Sequence, residues 1–185
     1  TLSTAIGQGS LTASPMQVAR SYVALANGGH MLDLTVVKKR QTASGQVIET
    51  PTPLIRQHME IDPETLGLVR EGLVRVVNDA EGSASDSALD MMVMAGKTGT
   101  AEAAQSRPGA SEELSRWLQQ DHAWFAAYAP AEDPKIVVVV FLEHGGWGSK
   151  VAAPIANRIM QAWVRLGLHR DAPTTAKVGH TGEGR

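Results

Sequence analysis

The densest group of residues able to do chemistry in this chain is Gly96-Lys97-Thr98-Gly99-Thr100, which alternates a cation and two hydroxyls with glycines. Lys-Thr-Gly on an extended segment is one of three short signatures that accompany serine acyl transfer. A tripeptide carries little by itself, and the plain alternative is a strand end with an exposed lysine. Other chemistries fail on spacing. Gly96-Lys97-Thr98 has the ending of a phosphate-binding loop, but Met91 stands where that loop needs glycine, and Gly99-Thr100-Ala101 does not open a helix. Gly7-Gln8-Gly9 begins a dinucleotide fingerprint, yet Thr12 replaces its third glycine. His58-Met59-Glu60 has the spacing of a deaminase zinc motif whose cysteines are missing, for the chain has none. No His-Glu-x-x-His pair and no Gly-x-Ser-x-Gly elbow occurs, and His30, His58, His122, His144, His169 and His180 are dispersed. The absence of cysteine also removes a disulfide scaffold, an iron–sulfur site and a thiol nucleophile.

The elements that must position Lys97 read as follows. Ser14-Pro15-Met16-Gln17 is a capping box, and Val18, Ala19, Tyr22, Val23 and Ala26 recur at helical spacing, which predicts a helix over Ser14–Ala26 stopped by Asn27-Gly28-Gly29. Thr35–Arg40 and Gln46–Glu49 read as an antiparallel hairpin broken by Thr50-Pro51-Thr52-Pro53. A second helix is expected over Pro63–Asn78, with Asp62 as its cap and Leu66, Val69, Leu73, Val76 and Val77 as its buried stripe. Ala80–Asp86 reads as a loop, Met91–Ala101 as the strand that carries Lys97, and Gln105–Gln120 as a polar insertion with a short helix over Glu112–Leu118. Strands His122–Ala129 and Lys135–Glu143 follow, joined by a short turn that makes them antiparallel. After Gly145-Gly146-Trp147-Gly148 a last helix is expected over Ala153–Leu166, with Val151, Ile155, Ile159, Ala162, Trp163 and Leu166 as its apolar face.

The fold class that results is α/β of the α+β type, a mostly antiparallel sheet flanked by helices. The apolar runs of the last two strands predict cover on both faces. One domain is expected over 1–168, and 169–185 reads as a mobile tail. At 185 residues, with 43% hydrophobic and 19% charged residues, the composition is globular. A net charge of −2 offers no basic surplus for nucleic acid or anionic membrane. The apolar run Ile136–Leu142 is 7 residues, against about twenty for a membrane span. Nothing in Thr1–Thr12 resembles a signal peptide.

Context raises the weight of Lys97-Thr98-Gly99. Upstream stand Ala5-Ile6-Gly7-Gln8-Gly9, Thr12-Ala13-Ser14-Pro15-Met16-Gln17 and Leu25-Ala26-Asn27-Gly28-Gly29. Downstream stand His122-Ala123-Trp124-Phe125, Glu143-His144-Gly145-Gly146-Trp147-Gly148 and Ala152-Ala153-Pro154-Ile155-Ala156. In this order the segments resemble the C-terminal half of the transpeptidase domain of class B penicillin-binding proteins, over about Ile6–Leu168. The Gly-Gly-Trp-Gly and Ala-Ala-Pro-Ile end is closest to the elongation-specific branch, the penicillin-binding protein 2 type. The resemblance implies a fold of the penicillin-binding-protein and serine β-lactamase kind. It implies cross-linking of peptidoglycan stem peptides that end in D-Ala-D-Ala, through a serine acyl-enzyme that β-lactams trap, with no metal and no organic cofactor.

On that resemblance Lys97 places its charge beside the substrate carboxylate and the proton-transfer network. Thr98 and Thr100 offer hydroxyls to that carboxylate, and the Thr100 N–H is one of two oxyanion donors. Gly99 lets the stem peptide lie against the strand edge. Lys97 and Thr100 are thus the catalytic candidates, Lys97, Thr98, Gly99 and Thr100 the substrate-binding ones. Trp147 is a candidate wall of the cleft, with core cover as its other reading. The family also needs Ser-x-x-Lys and Ser-x-Asn, and neither occurs: Thr35, Val36, Met94, Glu132, Trp147 and Thr174 precede the six lysines by three, and Leu25, Val76 and Ile155 precede the asparagines by two. The chain is therefore expected to be a piece that lacks the nucleophile and is inactive alone. Its expected partners are the missing N-terminal half, stem peptides, β-lactams, further copies of itself and, through the parent protein, an elongation-machinery glycosyltransferase. The parent is expected on the periplasmic face of the bacterial inner membrane. The alternatives are a non-catalytic interaction module that kept the substrate strand and, with no match outside Lys-Thr-Gly, a serine β-lactamase.

Overall fold

A computed structural model of the chain describes residues 12–51, 54–103 and 107–170. The Ile6-Gly7-Gln8-Gly9 segment and residues 171–185 of the expected tail lie outside the described residues, while Leu168–Arg170 form a single 3-10 turn.

Helix α1 spans Pro15–Ala26. Its capping box is formed as the sequence predicts: Gln17 N–H donates to Ser14 Oγ at 3.3 Å, and Ser14 N–H donates to Gln17 Oε1 at 2.8 Å. Asn27 then turns the chain into strand β1, His30–Leu32. Its side chain both donates to the His30 carbonyl and accepts from the His30 N–H, each at 2.9 Å. Gly29, at φ +99°, approaches Met59 so closely that a Cβ would lie 2.7 Å from the Met59 carbonyl oxygen.

The segment after β1 corrects the expected hairpin. Only β2, Arg40–Gln41, and β3, Val47–Glu49, pair there, and Thr35–Lys39 is not a strand. The β-branched run Thr35-Val36-Val37 faces solvent and has no surface to pack on, so β propensity alone does not hold it. The chain resumes after the prolines as β4, Ile55–His58, antiparallel to β1.

Helix α2 spans Pro63–Asn78 behind its Asp62 cap, which accepts from Thr65 N–H at 2.9 Å. That hydrogen bond holds the Asp62 carboxyl below the usual carboxylate range. Leu66, Leu73 and Val77 are buried, but Val69 is 43% exposed, against the expected stripe. Arg70 takes part in the inward face instead, its Nε donating to the Leu25 carbonyl at 2.8 Å and tying α2 to α1.

The main sheet has three strands in the order β5 (Ala95–Ala101), β6 (His122–Ala129), β7 (Ile136–Leu142), antiparallel throughout. The short helix α3, Glu112–Leu118, lies in the β5–β6 connection as expected. Both faces are covered. Phe125, Ala127, Val138 and Val140 pack with Ala152, Ala153, Ala156 and Met160 of helix α4, Gly148–Arg165. On the opposite face Tyr128 and Ala95 pack with Ala26 of α1 and Leu73 of α2.

Helix α4 departs from the sequence reading twice. It opens at Gly148, not near Ala153, with Pro154 inside it. Its buried face is the small-residue set Ala152, Ala153 and Ala156 with Met160, whereas Ile159 and Leu166 are exposed. Alanines let the helix axis approach the sheet closely, and Val151 and Ile155 of the expected face pack beside them, half-buried. Among the described residues no helix is long and apolar enough to cross a membrane.

Candidate active site

Strand β5 is an edge: β6 pairs one side of it, and no strand among the described residues pairs the other. The strand starts from α2, where Asn78 Nδ2 donates to the Met94 carbonyl at 2.8 Å. Its register sets Lys97 opposite Ala126, Thr98 opposite Phe125, Gly99 opposite Trp124 and Thr100 opposite Ala123. Successive side chains alternate faces. Lys97 and Gly99 therefore share one face, and Thr98 and Thr100 the other.

Lys97 is exposed, and its Nζ donates to the Thr98 carbonyl at 3.0 Å. No carboxylate of the described residues forms an ion pair with it. An exposed ammonium held only by a carbonyl keeps its charge available for an anion. Thr98 is half-buried, and its Oγ1 lies 3.0 Å from Ser83 Oγ. Thr100 is exposed at the far end of the strand. At Gly99 a Cβ would meet Trp124 Cβ at 3.1 Å, so the glycine fits a tight cross-strand contact. The four candidates of the sequence reading thus occupy consecutive positions of one open edge.

Trp147 precedes the first residue of α4 and accepts at its carbonyl from Lys150 and Val151 N–H. Its side chain is 70% exposed, so it does not cover core. The next residue, Gly148, abuts the Gly99 backbone.

Two contributors escape the sequence reading. Ser83 lies in the stretch read as a loop, and its small polar surroundings gave no sign that the hydroxyl reaches Thr98. The histidines are not all dispersed either. His144 is buried at φ +50° beside His122; its N–H donates to His122 Nδ1 at 3.0 Å, and its ring lies 4.3 Å from that of Trp117. This cluster closes the sheet end at which β5 stops, since His122 pairs with Ala101. Among the described residues no group of three or more His, Asp or Glu is placed to hold a metal.

The chain matches the family model described as penicillin binding protein transpeptidase domain over residues 1–161. It is 34% identical over 175 residues to the peptidoglycan D,D-transpeptidase MrdA of Haemophilus influenzae, covering 91% of this chain and 26% of that protein. The crystal structure of Pseudomonas aeruginosa PBP2 in complex with WCK 5153 aligns with a TM-score of 0.65 at 34% identity, over 96% of this chain and 34% of that one. Penicillin-binding protein A from M. tuberculosis, in a ceftriaxone acyl-enzyme complex, aligns with a TM-score of 0.69 at 26% identity, over 86% of this chain and 34% of that one. The chain therefore spans about a quarter of the length of the curated relatives it matches. With the alignment running through α1, the sheet and α4, the chain belongs to the penicillin-binding protein transpeptidase domain family.

Proposed function

We propose that this chain is the substrate-strand portion of a peptidoglycan D,D-transpeptidase of the elongation-specific type. The observation that carries the reading is the open edge of β5, with Lys97, Thr98, Gly99 and Thr100 in sequence along it. A stem peptide ending in D-Ala-D-Ala adds to this edge by backbone hydrogen bonds, with Gly99 leaving room for it. Lys97 from one face of the edge and the hydroxyls of Thr98 and Thr100 from the other reach its terminal carboxylate, held by charge-assisted hydrogen bonds.

In the reaction a serine oxygen attacks the carbonyl carbon of the penultimate D-Ala. The C–O bond forms, the C–N bond breaks, and the serine proton leaves with the amine of the terminal D-Ala. An amine of a neighbouring stem then displaces the serine, which takes back a proton, and the cross-link is made. The Thr100 N–H stabilises the oxyanion of both tetrahedral intermediates, a contribution worth about 10²–10³ in rate for one such donor. Lys97 acts on the carboxylate and on the proton-transfer network. The chemistry calls for no metal and no organic cofactor. β-Lactams present the same carbonyl and carboxylate and are held by the same residues.

The nucleophile and its base are not in this chain, because no lysine has serine three positions before it. They belong to the N-terminal half of the domain, which is this chain's first partner. The parent protein acts on the periplasmic face of the inner membrane, anchored by a segment other than this one, alongside an elongation glycosyltransferase. Trp147, exposed just before α4, walls the cleft. Without its partner half the chain self-associates through its exposed apolar side chains.

The test is intact-mass spectrometry after incubation with a penicillin, on this chain alone and mixed with the preceding segment of its gene. The expected result is no adduct on this chain and an adduct on the other segment only when the two combine. A stable penicilloyl adduct on a serine of this chain would overturn the assignment.

A further inference from the structure

Gly148 is buried where α4 begins. A Cβ added there would collide with the carbonyl oxygens of Gly99 and Trp124 and lie 3.2 Å from the Gly99 nitrogen. All three are backbone atoms, which cannot swing aside as the end of a side chain can. The first turn of α4 is therefore seated directly on the β5–β6 pair at Gly99 and Trp124, one residue before Thr100.

A second glycine of the same loop acts alongside. A Cβ at Gly145 would meet Leu142 Cβ at 2.8 Å and Ala123 Cβ at 3.3 Å, and Ala123 is the cross-strand partner of Thr100. The helix cannot yield to such pressure. Ala152, Ala153 and Ala156 fix it against the sheet, and Asn157 Nδ2 donates to the carbonyls of Ser87 and Ala88 at 3.0 and 2.9 Å. Among the described residues β5 is paired with another strand along one side only, so bulk at the seat displaces β5 more readily than the buried helix.

We infer that Gly148 is a positioning residue for acyl transfer: its missing side chain sets the place of the Gly99–Thr100 peptide, and with it the Thr100 N–H. The inference rests on the transpeptidase reading above. An oxyanion donor works only within about 2.7–3.1 Å of the developing charge, and a misplacement of about 1 Å costs on the order of 10²-fold. Of the carboxylate contacts, Lys97 stands two residues from Gly99. The hydroxyls of Thr98 and Thr100, on either side of Gly99, can turn about their side-chain bonds, whereas the Thr100 N–H is fixed in the displaced peptide. Bulk at Gly148 is thus expected to slow bond formation and to spare the initial binding of substrate.

The experiment uses the full-length protein that carries this chain and a fluorescent penicillin. Stopped-flow traces separate the dissociation constant of the first complex from the acylation rate constant. Gly148→Ala is expected to lower the rate constant roughly 10- to 100-fold, with the dissociation constant held within about twofold. Met160→Ala, on the same helix and fully buried, is expected to lower the melting temperature and leave the rate constant unchanged. An unaltered rate constant in Gly148→Ala, or a loss confined to the dissociation constant, overturns the inference. Should Gly148→Ala fail to fold, Gly145→Ala decides: a several-fold loss of rate constant supports the seat, and none overturns it. If the wild-type protein is not acylated at all, it is the transpeptidase reading that falls.

Discussion

Lys97 lies on an edge strand, with its ammonium on the Thr98 carbonyl and no carboxylate of the described residues in an ion pair with it. On the proposed transpeptidase reading, that leaves its charge for the substrate. A charge-assisted hydrogen bond contributes about 1.5–3 kcal/mol, so Lys97→Ala is expected to slow penicillin acylation of the whole protein roughly 10- to 100-fold. Lys97→Arg should restore only part of it, because a planar fork replaces a point charge. Away from the edge, burial first and the neighbouring Tyr128 second push the Tyr22 hydroxyl up to about 12; burial also raises Tyr128. An unfolded tyrosine ionises near 10. Between about pH 10 and 12 the folded chain keeps a proton that the unfolded chain has released, so stability is full below 10 and falls as pH rises through this window. Urea midpoints measured at about pH 8 and 11 should drop, and drop less in Tyr22→Phe. The types and order of Lys97, Thr98, Gly99 and Thr100 were readable from the chain alone. Ser83 was not, because its contact with Thr98 joins two segments that only the fold brings together.

Helices α1 and α2 were readable because their ends are written locally. Ser14 with Gln17, and Asp62 before Pro63, mark starts that need no tertiary contact. Ser14→Ala should cost about 1 kcal/mol, seen as a fall in the urea midpoint without change of slope. Helix α4 shows where such reading stops. Its start, at Gly148, carries no side-chain cap, and its fully buried residues are alanines and Met160; of the expected face Val151 and Ile155 do pack on the core, but Ile159 and Leu166 are exposed. The β1–β4 pair was hidden for another reason. Its strands are short and separated by the β2–β3 hairpin and the Thr50–Pro53 segment, so the pairing is non-local and no turn signal announces it.

At the scale of the molecule, the antiparallel order β5-β6-β7 followed from the short turn between the last two strands. The cover on both faces followed from their unbroken apolar runs. The two connections in that sheet differ in length, and this governs its assembly. Six residues, Pro130–Lys135, join β6 to β7, and twenty, Glu102–Asp121, separate β5 from β6. Closing the longer connection costs about 1 kcal/mol more in chain entropy. β6 and β7 therefore form a hairpin nucleus, and the strand that bears Lys97 joins it late and detaches from it first. In native-state hydrogen exchange the β5 amides should open at lower free energy than those at the centre of β6, and equal protection would contradict that order. The strand proposed to admit a second chain at its edge is then also the one whose own pairing is most readily undone and remade.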